Sequence, residues 1–502
     1  MIFRIKKEDW YLLIIFSMIA IAIFVKSYFN PDGFLTIDST GYLALSQNLL
    51  DGNGFFVSFY GLTGNDREFF AIWPIGYSSL IYLTAKLTGL SVFWASKVLN
   101  IFLIGLILSV FRVLFKHNAY VYGFIFLFAS SIEIFTYTWS ETVFIFGLVW
   151  FGISIYMFML EPKKLVLIYI SLFVSSLFLF LSRYIGAFSF GLIGLLGLYY
   201  GFVKKDKSKS IILITIASFN IVIMFGYLYH NYLQTGFPTG MPRIAAPETD
   251  GELFVMLLRA IISETIIPMN SISKTAMLIF WMQFSVLIYL IVKYRTSIFN
   301  VLKNSQNNKT RKLVLVFISI GLVYLFFIIL MRWLVQFDTY RARLLAPGSF
   351  LLFIAFIVYI EKFTTEKLFN EFKIFLLSFA LLSYFINFPY SVWKQDKQAM
   401  YNETIQNIEK KYADVDKNSI VVFGNIHLKY LYTDIQIGKP FYLPYYTNKE
   451  SWSNFINRIN PKHKKDVYLV TSEYNKVKPK YYDQTIVNLV EKYKHYPIVK
   501  LP

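Results

Sequence analysis

The feature that most constrains this 502-residue chain is a series of apolar runs, each about 17 to 25 residues long. A helix of that length spans the hydrocarbon core of a bilayer, and 56% of the residues are hydrophobic. The sequence therefore predicts an α-helical polytopic membrane protein, not a soluble enzyme. We predict eleven spans, near residues 10–28, 92–114, 119–137, 140–160, 165–182, 185–202, 210–229, 275–292, 313–331, 344–360 and 373–389.

The basic residues set the expected orientation. The first run follows Arg4, Lys6 and Lys7 and lacks a small-residue cleavage site, so we interpret it as a retained signal anchor with a cytoplasmic N-terminus. Positively charged loops stay in the cytoplasm, and this topology places there the basic loops at 161–164, 203–209, 293–312 and 361–373. The formal charge of +19 is divided between these loops and the C-terminal segment, so it does not indicate nucleic-acid binding.

The stretch from Ala71 to Leu90 is apolar enough to be counted as another span. A crossing there would invert every later loop and place the basic loops outside. We therefore predict an interfacial or re-entrant helix on the outer face, within a first extracytoplasmic loop of residues 29–91.

The composition changes near Tyr390 from apolar to mixed polar, which predicts a transmembrane domain of residues 1–389 and a second domain of residues 390–502. Within the second domain we predict helices at 394–412, 426, 449–459 and 483–495, and extended segments at 419, 441, 466 and the C-terminus. This alternation is typical of a small α/β domain, and the odd number of spans places it outside the cytoplasm. It has no glycine-rich phosphate loop, so no nucleotide site is expected.

Ionisable residues lie at the span ends that are expected to face outward. The chain has no cysteine, which excludes a cysteine nucleophile and thiolate metal sites. The catalytic candidates are Asp38 in the first outer loop and Glu141 at the start of a span, and the candidates to bind phosphate are Arg183, Arg341 and Arg343. Ionisable groups at membrane level cost about 2.5 to 3.5 kcal/mol each to insert, so they usually have a partner or a substrate.

Two other interpretations stay open for these residues. Asp38 precedes a helix that continues to about Leu50, where Thr36, Asp38 or Ser39 would serve as the N-cap. An arginine at a helix end can also extend its charged group to the lipid headgroups without binding a substrate.

Six short motifs follow one another on the expected outer face. They are DSTGYLALSQNLLDGNGF from Asp38, WPIGY from Trp73, an acidic residue at Glu141, SRYIGAF from Ser182, YLQTGFPTG from Tyr232 and RARLLAP from Arg341. Their order resembles the glycosyltransferase C superfamily, and within it the bacterial family 39 enzymes related to protein O-mannosyltransferases and aminoarabinose transferases. The resemblance covers about residues 1–360. Ser39 stands where the mannosyltransferases have a second acidic residue, so their metal use and acceptor do not carry over.

The resemblance implies an enzyme that moves a sugar from a polyprenyl-phosphate-linked donor to an acceptor hydroxyl on a lipid, glycan or protein, with inversion at the anomeric carbon. Asp38 would be the general base. Glu141 would orient the acceptor, or hold a divalent cation together with Asp38, and the sequence leaves both roles open. The three arginines would bind the departing phosphate.

Tyr42, Trp73 and Tyr340 are candidates to stack on a sugar ring, and His230 is a candidate to contact substrate. Aromatic residues also mark the membrane interface, which is the alternative interpretation. The expected location is the bacterial inner membrane, with membrane lipids and the lipid-linked donor as partners and no nucleic acid.

Two other functions fit a basic polytopic chain. An O-antigen ligase or polymerase also uses a lipid-linked sugar, but it usually carries its key arginines and histidine in one large late loop. A secondary transporter of lipid-linked sugar would show paired glycine- or proline-broken spans in two related halves, which this sequence lacks.

Overall fold

The structure is a computed structural model. It describes residues 6–29, 34–57, 68–160, 165–241, 243, 245–263, 274–294, 308–338 and 340–387, and in the C-terminal part residues 406, 410, 420–423, 436–438, 466–470, 488, 491–492 and 498–500.

The described part of residues 1–389 is almost entirely helical. Its helices are α1 (Lys7–Phe29), α2 (Ile37–Leu50), α3 (Gly76–Thr88), α4 (Val92–Phe115), α5 (Ala119–Gly123), α6 (Ala129–Thr136), α7 (Glu141–Met159), α8 (Leu165–Ser182), α9 (Phe188–Leu198), α10 (Lys207–Thr235), α11 (Asp250–Ser263), α12 (Lys274–Lys293), α13 (Asn308–Leu334), α14 (Ala342–Phe363) and α15 (Glu366–Asn387).

Nine helical segments in the described residues are long and apolar enough to cross a membrane. They are Lys7–Phe29, Val92–Leu127, Ser140–Met159, Leu165–Ser182, Tyr184–Val203, Lys207–Thr235, Lys309–Leu334, Arg343–Phe363 and Glu366–Phe385. The predicted multi-pass α-helical membrane fold is therefore confirmed.

The other two predicted spans differ from long regular helices. The span at 119–137 consists of α5, a 3-10 turn (Phe124–Leu127) and α6, and Lys116 before it turns the chain with a positive φ of 52°. At its two ends, Asn118 Nδ2 donates to Glu361 and Trp139 Nε1 donates to Thr36. This broken segment therefore connects the same two ends as its neighbours. For the span at 275–292, the apolar stretch within α12 is the shorter helix Trp281–Lys293.

The helix bundle has two chemically different ends. At the basic end, Arg112 near the end of α4 pairs with Asp9 at the start of α1, and Lys312 Nζ donates to the Met159 carbonyl at 2.8 Å. This end also carries lysines at helix ends and in the connecting turns, including Lys116, Lys204, Lys205, Lys293 and Lys362. The opposite end, called the site end below, carries α2, α3 and the starts of α7 and α14.

The first connection of the chain folds over the site end. Helices α2 and α3 pack against each other, and between them β1 (Phe56–Val57) pairs antiparallel with β2 (Glu68–Phe69). Helix α3 has only 13 residues and spans about 20 Å, which is too short to cross a bilayer. It matches the short helix predicted within 71–90.

Small residues let two helices of the site approach closely. A Cβ placed on Gly321 of α13 would lie 2.9 Å from the carbonyl oxygen of Gly348 in α14. Helices in lipid associate through van der Waals packing, which close backbone approach strengthens. Tyr324 lies one turn along from Gly321, and its hydroxyl donates to the Leu344 carbonyl at 2.9 Å. These contacts position the start of α14, where Arg343 lies.

The described strands of the C-terminal part form one four-stranded sheet. Its strands are β3 (Ile420–Phe423), β4 (Gln436–Gly438), β5 (Asp466–Val470) and β6 (Ile498–Lys500), in the order β4-β3-β5-β6. The first two pairings are parallel and β5 pairs antiparallel with β6. The strands predicted at 419, 466 and the C-terminus are present, and β4 was not predicted. The helices predicted at 426 and 449–459 and the segment at 441 lie outside the described residues.

Candidate active site

Four charged side chains from distant parts of the sequence meet at the site end. Asp38 comes from the first turn of α2, Glu141 begins α7, Arg183 follows α8 and Arg343 lies in the first turn of α14. The Arg343 guanidinium donates through Nε to Glu141 Oε1 at 2.7 Å and pairs through Nη2 with Asp38 Oδ2. Its third nitrogen, Nη1, lies 3.4 Å from Asp338 Oδ2. One arginine thus contacts three carboxylates.

Helix α2 is capped by Thr36, not by Asp38. Thr36 Oγ1 accepts from the Ser39 amide at 3.4 Å and from Trp139 Nε1 at 2.9 Å. The Asp38 side chain is 26% exposed and turns to Arg343. The cap interpretation that the sequence left open for Asp38 therefore does not apply.

Glu141 is the buried centre of the cluster. Its side chain is 0% exposed and its Oε1 pairs with both Arg183 and Arg343. Taking a carboxylate out of water costs several kcal/mol, and the two guanidinium groups offset that cost. Its second oxygen, Oε2, has no hydrogen-bond partner among the described residues. Glu141 is therefore shielded from solvent, and its role in the cluster is to hold the two arginines in place.

Arg183 lies where the backbone leaves the helical conformation at the end of α8. It is extended, with φ −152° and ψ 135°, and a 3-10 turn (Tyr184–Ala187) follows it. The Tyr184 hydroxyl donates to the Ala71 carbonyl at 2.6 Å, which ties this turn to the segment before α3. Gly76, at the start of α3, allows the close approach, because a Cβ there would lie 2.5 Å from the Leu181 carbonyl oxygen.

An aromatic wall covers one face of the Arg343 guanidinium. The guanidinium carbon lies 4.4 Å from the centre of the Trp139 ring, a cation–π contact. Trp139 stacks on Tyr137 with ring centres 3.9 Å apart. The nitrogens of the Arg343 guanidinium are therefore fixed by ion pairs, and its face is fixed by the Trp139 ring. The guanidinium has little freedom to move.

A buried polar network that we did not predict supports the start of α7. Asn100 Nδ2 donates to the carbonyls of Phe135 and Tyr137, both at 3.0 Å, and its Oδ1 accepts from the hydroxyls of Tyr77 and Thr142. All the hydrogen-bonding capacity of this amide is satisfied.

Lys97 lies one turn before Asn100 on α4. Its Nζ donates to the Thr136 carbonyl at 2.6 Å and to Thr138 Oγ1 at 3.1 Å. The sequence signal for this network was the pair of polar residues, three positions apart, inside an otherwise apolar span.

Two of the predicted sugar-stacking residues form an aromatic cluster next to Asp38. The Tyr42 ring packs against Trp73, Phe70 and Tyr77, with ring centres 5.2 to 6.3 Å apart. Tyr42 is only 1% exposed and its hydroxyl donates to Ser140 Oγ at 3.0 Å. Burial raises the pKa of this hydroxyl, and the nearby negative charges raise it further. Tyr42 therefore stays neutral, and Trp73 is the less buried ring of the pair.

The other three predicted residues lie away from the ion-pair cluster. Arg341 is exposed and forms no ion pair with any residue that the structure describes. Tyr340 is buried, and its hydroxyl donates to the Ile329 carbonyl at 2.9 Å. His230 is exposed and its ring lies 5.2 Å from that of Phe69. The geometry brings together only Asp38, Glu141, Arg183 and Arg343 of the ionisable candidates.

No group of three histidine, aspartate or glutamate side chains suited to a metal ion occurs among the described residues. The two carboxylates that would share a cation, Asp38 and Glu141, are both bound by Arg343. The guanidinium thus takes the position between them, and the donor set does not fit a divalent ion.

Two solved structures share this architecture. The crystal structure of ArnT from Cupriavidus metallidurans bound to undecaprenyl phosphate has a TM-score of 0.56 and 10% sequence identity, covering 93% of this chain and 94% of that chain. The structure of the same ArnT in the apo state has a TM-score of 0.53 and 10% identity, covering 92% and 93%. This chain has the fold of ArnT.

The shared fold confirms the predicted α-helical polytopic architecture. No protein-family model and no curated protein matches the sequence. At 10% identity the similarity to ArnT concerns the fold, so the roles of individual side chains rest on the geometry above.

Proposed function

We propose that this protein transfers a sugar from a polyprenyl-phosphate-linked donor to an acceptor hydroxyl on a lipid, glycan or protein. The observation that carries the proposal is the Arg343 guanidinium held by Asp38 and Glu141 at the end of a membrane bundle. A base and a phosphate-binding cation then lie side by side where a lipid-linked substrate would present its headgroup. The fold shared with ArnT, which was crystallised with undecaprenyl phosphate, supports a polyprenyl-phosphate partner.

The reaction would proceed by direct displacement. The acceptor oxygen attacks the anomeric carbon and forms the new glycosidic bond, while the bond from that carbon to the phosphate oxygen breaks. The acceptor proton passes to the Asp38 carboxylate, which as general base would contribute roughly 10² to 10⁴ in rate. The prenyl phosphate leaves with the bonding electrons. Attack from the face opposite the leaving group inverts the anomeric centre.

Arg343 and Arg183 would stabilise the charge that grows on the leaving phosphate. A guanidinium can form two parallel bonds to phosphate oxygens, and it acts most strongly where water is excluded. Glu141, on the buried side of the cluster, would position both arginines. Arg341, Trp73 and His230, which are less buried, remain candidates for the rim of the substrate site, whereas Tyr42 and Tyr340 would act through packing.

We further propose that the site is extracytoplasmic, and the distribution of charge supports this. The lysine-rich basic end would face the cytoplasm, which leaves the site end and the C-terminal domain, residues 390–502, on the other side. We further propose that the chain is a family 39 type enzyme of a bacterial inner membrane, as its motif order suggests.

The test is sugar transfer by the purified protein in detergent. The donors are undecaprenyl-phosphate-linked glucose, galactose, mannose, arabinose and aminoarabinose, and the acceptor is a cell-envelope extract. Radiolabel should pass from at least one donor to the extract. Arg343→Lys keeps the charge but loses the planar fork, so transfer should fall about 10- to 100-fold. Arg112→Lys, a matched change at an ion pair of the basic end, should transfer normally.

The alternatives give different results. A transporter would transfer no label in detergent and would instead be required for uptake into sealed vesicles. An O-antigen ligase or polymerase would use a preassembled lipid-linked glycan and none of the single-sugar donors. Absence of transfer from every donor in the panel would refute the proposed function.

A further inference from the structure

A second buried ion pair lies beside the active-site cluster. Arg332, in the last turn of α13, is 1% exposed, and its Nη2 donates to Glu248 Oε1 at 2.5 Å. Its Nε donates to the Asp338 carbonyl at 2.7 Å, and its guanidinium carbon lies 5.9 Å from the centre of the Tyr340 ring. The Glu248 side chain is 24% exposed, so the pair is reached from the Glu248 side.

Each partner of this ion pair has one buried atom without a hydrogen-bond partner in the described part of the chain. These atoms are Arg332 Nη1, a donor, and Glu248 Oε2, an acceptor. Buried charged groups are nearly always hydrogen-bonded, because an unpaired one loses its hydration without compensation. An unpaired donor and an unpaired acceptor within one ion pair therefore make this pair a candidate to bind a ligand or a water.

The two atoms restrict the chemistry of that ligand. A phosphate oxygen only accepts hydrogen bonds, so it would satisfy Arg332 but be repelled by Glu248. An ammonium group only donates, so it would satisfy Glu248 but be repelled by Arg332. A hydroxyl both donates and accepts, and it satisfies both atoms.

The neighbouring residue Asp338 connects this pair with the catalytic cluster. Its backbone carbonyl accepts from Arg332, and its side chain lies 3.4 Å from Arg343 Nη1. A phosphate bound at Arg343 would therefore lie near Arg332 and Glu248. A prenyl-phosphate sugar has two groups on its phosphate, and only the sugar ring carries hydroxyls for this polar pair, since the prenyl chain is apolar.

We propose that Arg332 and Glu248 form a subsite that binds a hydroxyl of the transferred sugar and selects the donor by it. The subsite rests on the proposed function, since it requires a sugar-phosphate donor at Arg343. A neutral hydroxyl at that ring position is required, and an amino group there is rejected.

The test uses the best undecaprenyl-phosphate sugar of the panel together with its monodeoxy and monodeoxyfluoro forms. For the wild type, removal of one particular hydroxyl should lower kcat/KM about 10- to 100-fold, because both buried atoms lose their partner. The fluoro form at that position should be equally poor, since fluorine cannot donate to the carboxylate. Glu248→Gln replaces the free acceptor by an N–H donor, so its discrimination against the fluoro form should shrink at least 10-fold.

Glu252→Gln makes the same change at an exposed residue of α11 and should keep the wild-type discrimination. If Glu248→Gln does not fold, Arg332→Lys should weaken selection at the same ring position. Unchanged discrimination in a folded variant would overturn the subsite while leaving the proposed function intact. A structure with the donor bound that shows only water between Arg332 and Glu248 would also overturn it. No transfer by the wild type from any sugar of the panel would instead refute the proposed function, and the subsite with it.

Discussion

Replacing Asp38 by asparagine separates a catalytic carboxylate from a structural one. The two side chains have nearly the same shape, and Thr36 supplies the cap of α2 in either case. The variant loses one negative charge, but its amide oxygen can still accept a hydrogen bond from Arg343 Nη2. Arg343 keeps its contacts to Glu141 and Asp338. We therefore expect a melting temperature within a few degrees of wild type.

The effect on transfer should be much larger. An amide cannot take the acceptor proton, so Asp38→Asn should lower kcat by about 10²-fold or more, which corresponds to at least about 2.7 kcal/mol in the activation barrier. Donor binding should change little, because Arg183 and Arg343 remain. The assay is initial-rate transfer by purified protein at saturating donor, with binding of undecaprenyl phosphate measured in parallel.

Asp338→Asn is the matched control. It removes a carboxylate from the same arginine, at 3.4 Å, and its side chain is more exposed, at 37%. Transfer by this variant should stay within about threefold of wild type, because Asp338 is not placed as the base. Wild-type transfer by Asp38→Asn would remove Asp38 from the chemistry. Equal losses of transfer activity in both variants would mean that the charge balance around Arg343 is needed for transfer, and that Asp38 is not a general base.

Three other results are expected. A cysteine that replaces Asn53 should react with an impermeant maleimide added outside intact cells. A cysteine that replaces Ser208 should not react, because Ser208 lies at the basic end. Labelling at position 208 would show that the proposed orientation in the membrane is wrong. EDTA should not lower transfer, since a guanidinium already lies between the two carboxylates of the site, and a loss restored by Mg²⁺ would contradict this. Asn100→Leu should destabilise the protein by about 3 kcal/mol, because four buried hydrogen bonds are lost, and an unchanged melting temperature would show that the network does not support α7.

Much of the fold could be predicted from the sequence because it depends on local composition. In a bilayer, each spanning segment must satisfy its backbone hydrogen bonds internally and present apolar side chains, so length and hydropathy identify the spans one by one. Length and hydropathy alone would have counted residues 71–90 as a further span, and only the distribution of basic residues argued against a crossing there. Hydropathy was less accurate for residues 119–137. It predicted a span there, but it could not show that the turn at Lys116 and the 3-10 turn Phe124–Leu127 interrupt the helix.

The site was predictable as a set of residue types, but not as an arrangement. Ionisable residues at span ends can be recognised in the sequence, and on this basis Asp38, Glu141, Arg183 and Arg343 were predicted as site residues. Arg332 and Glu248 were missed, since a charged residue in the last turn of a span resembles one that snorkels to the headgroups.

What the sequence by itself determined is which residues are expensive to place in or near lipid; what only the tertiary structure decided is which of them pair. Asp38 and Arg343 are 305 positions apart, and their contact depends on how α2, α7 and α14 pack at one end of the bundle. The same packing turns Tyr340 into the core while Arg343, three positions later, points into the site. Hydropathy is a property of each segment alone, whereas an ion pair depends on the relative position of two segments, and close packing of helices sets that position.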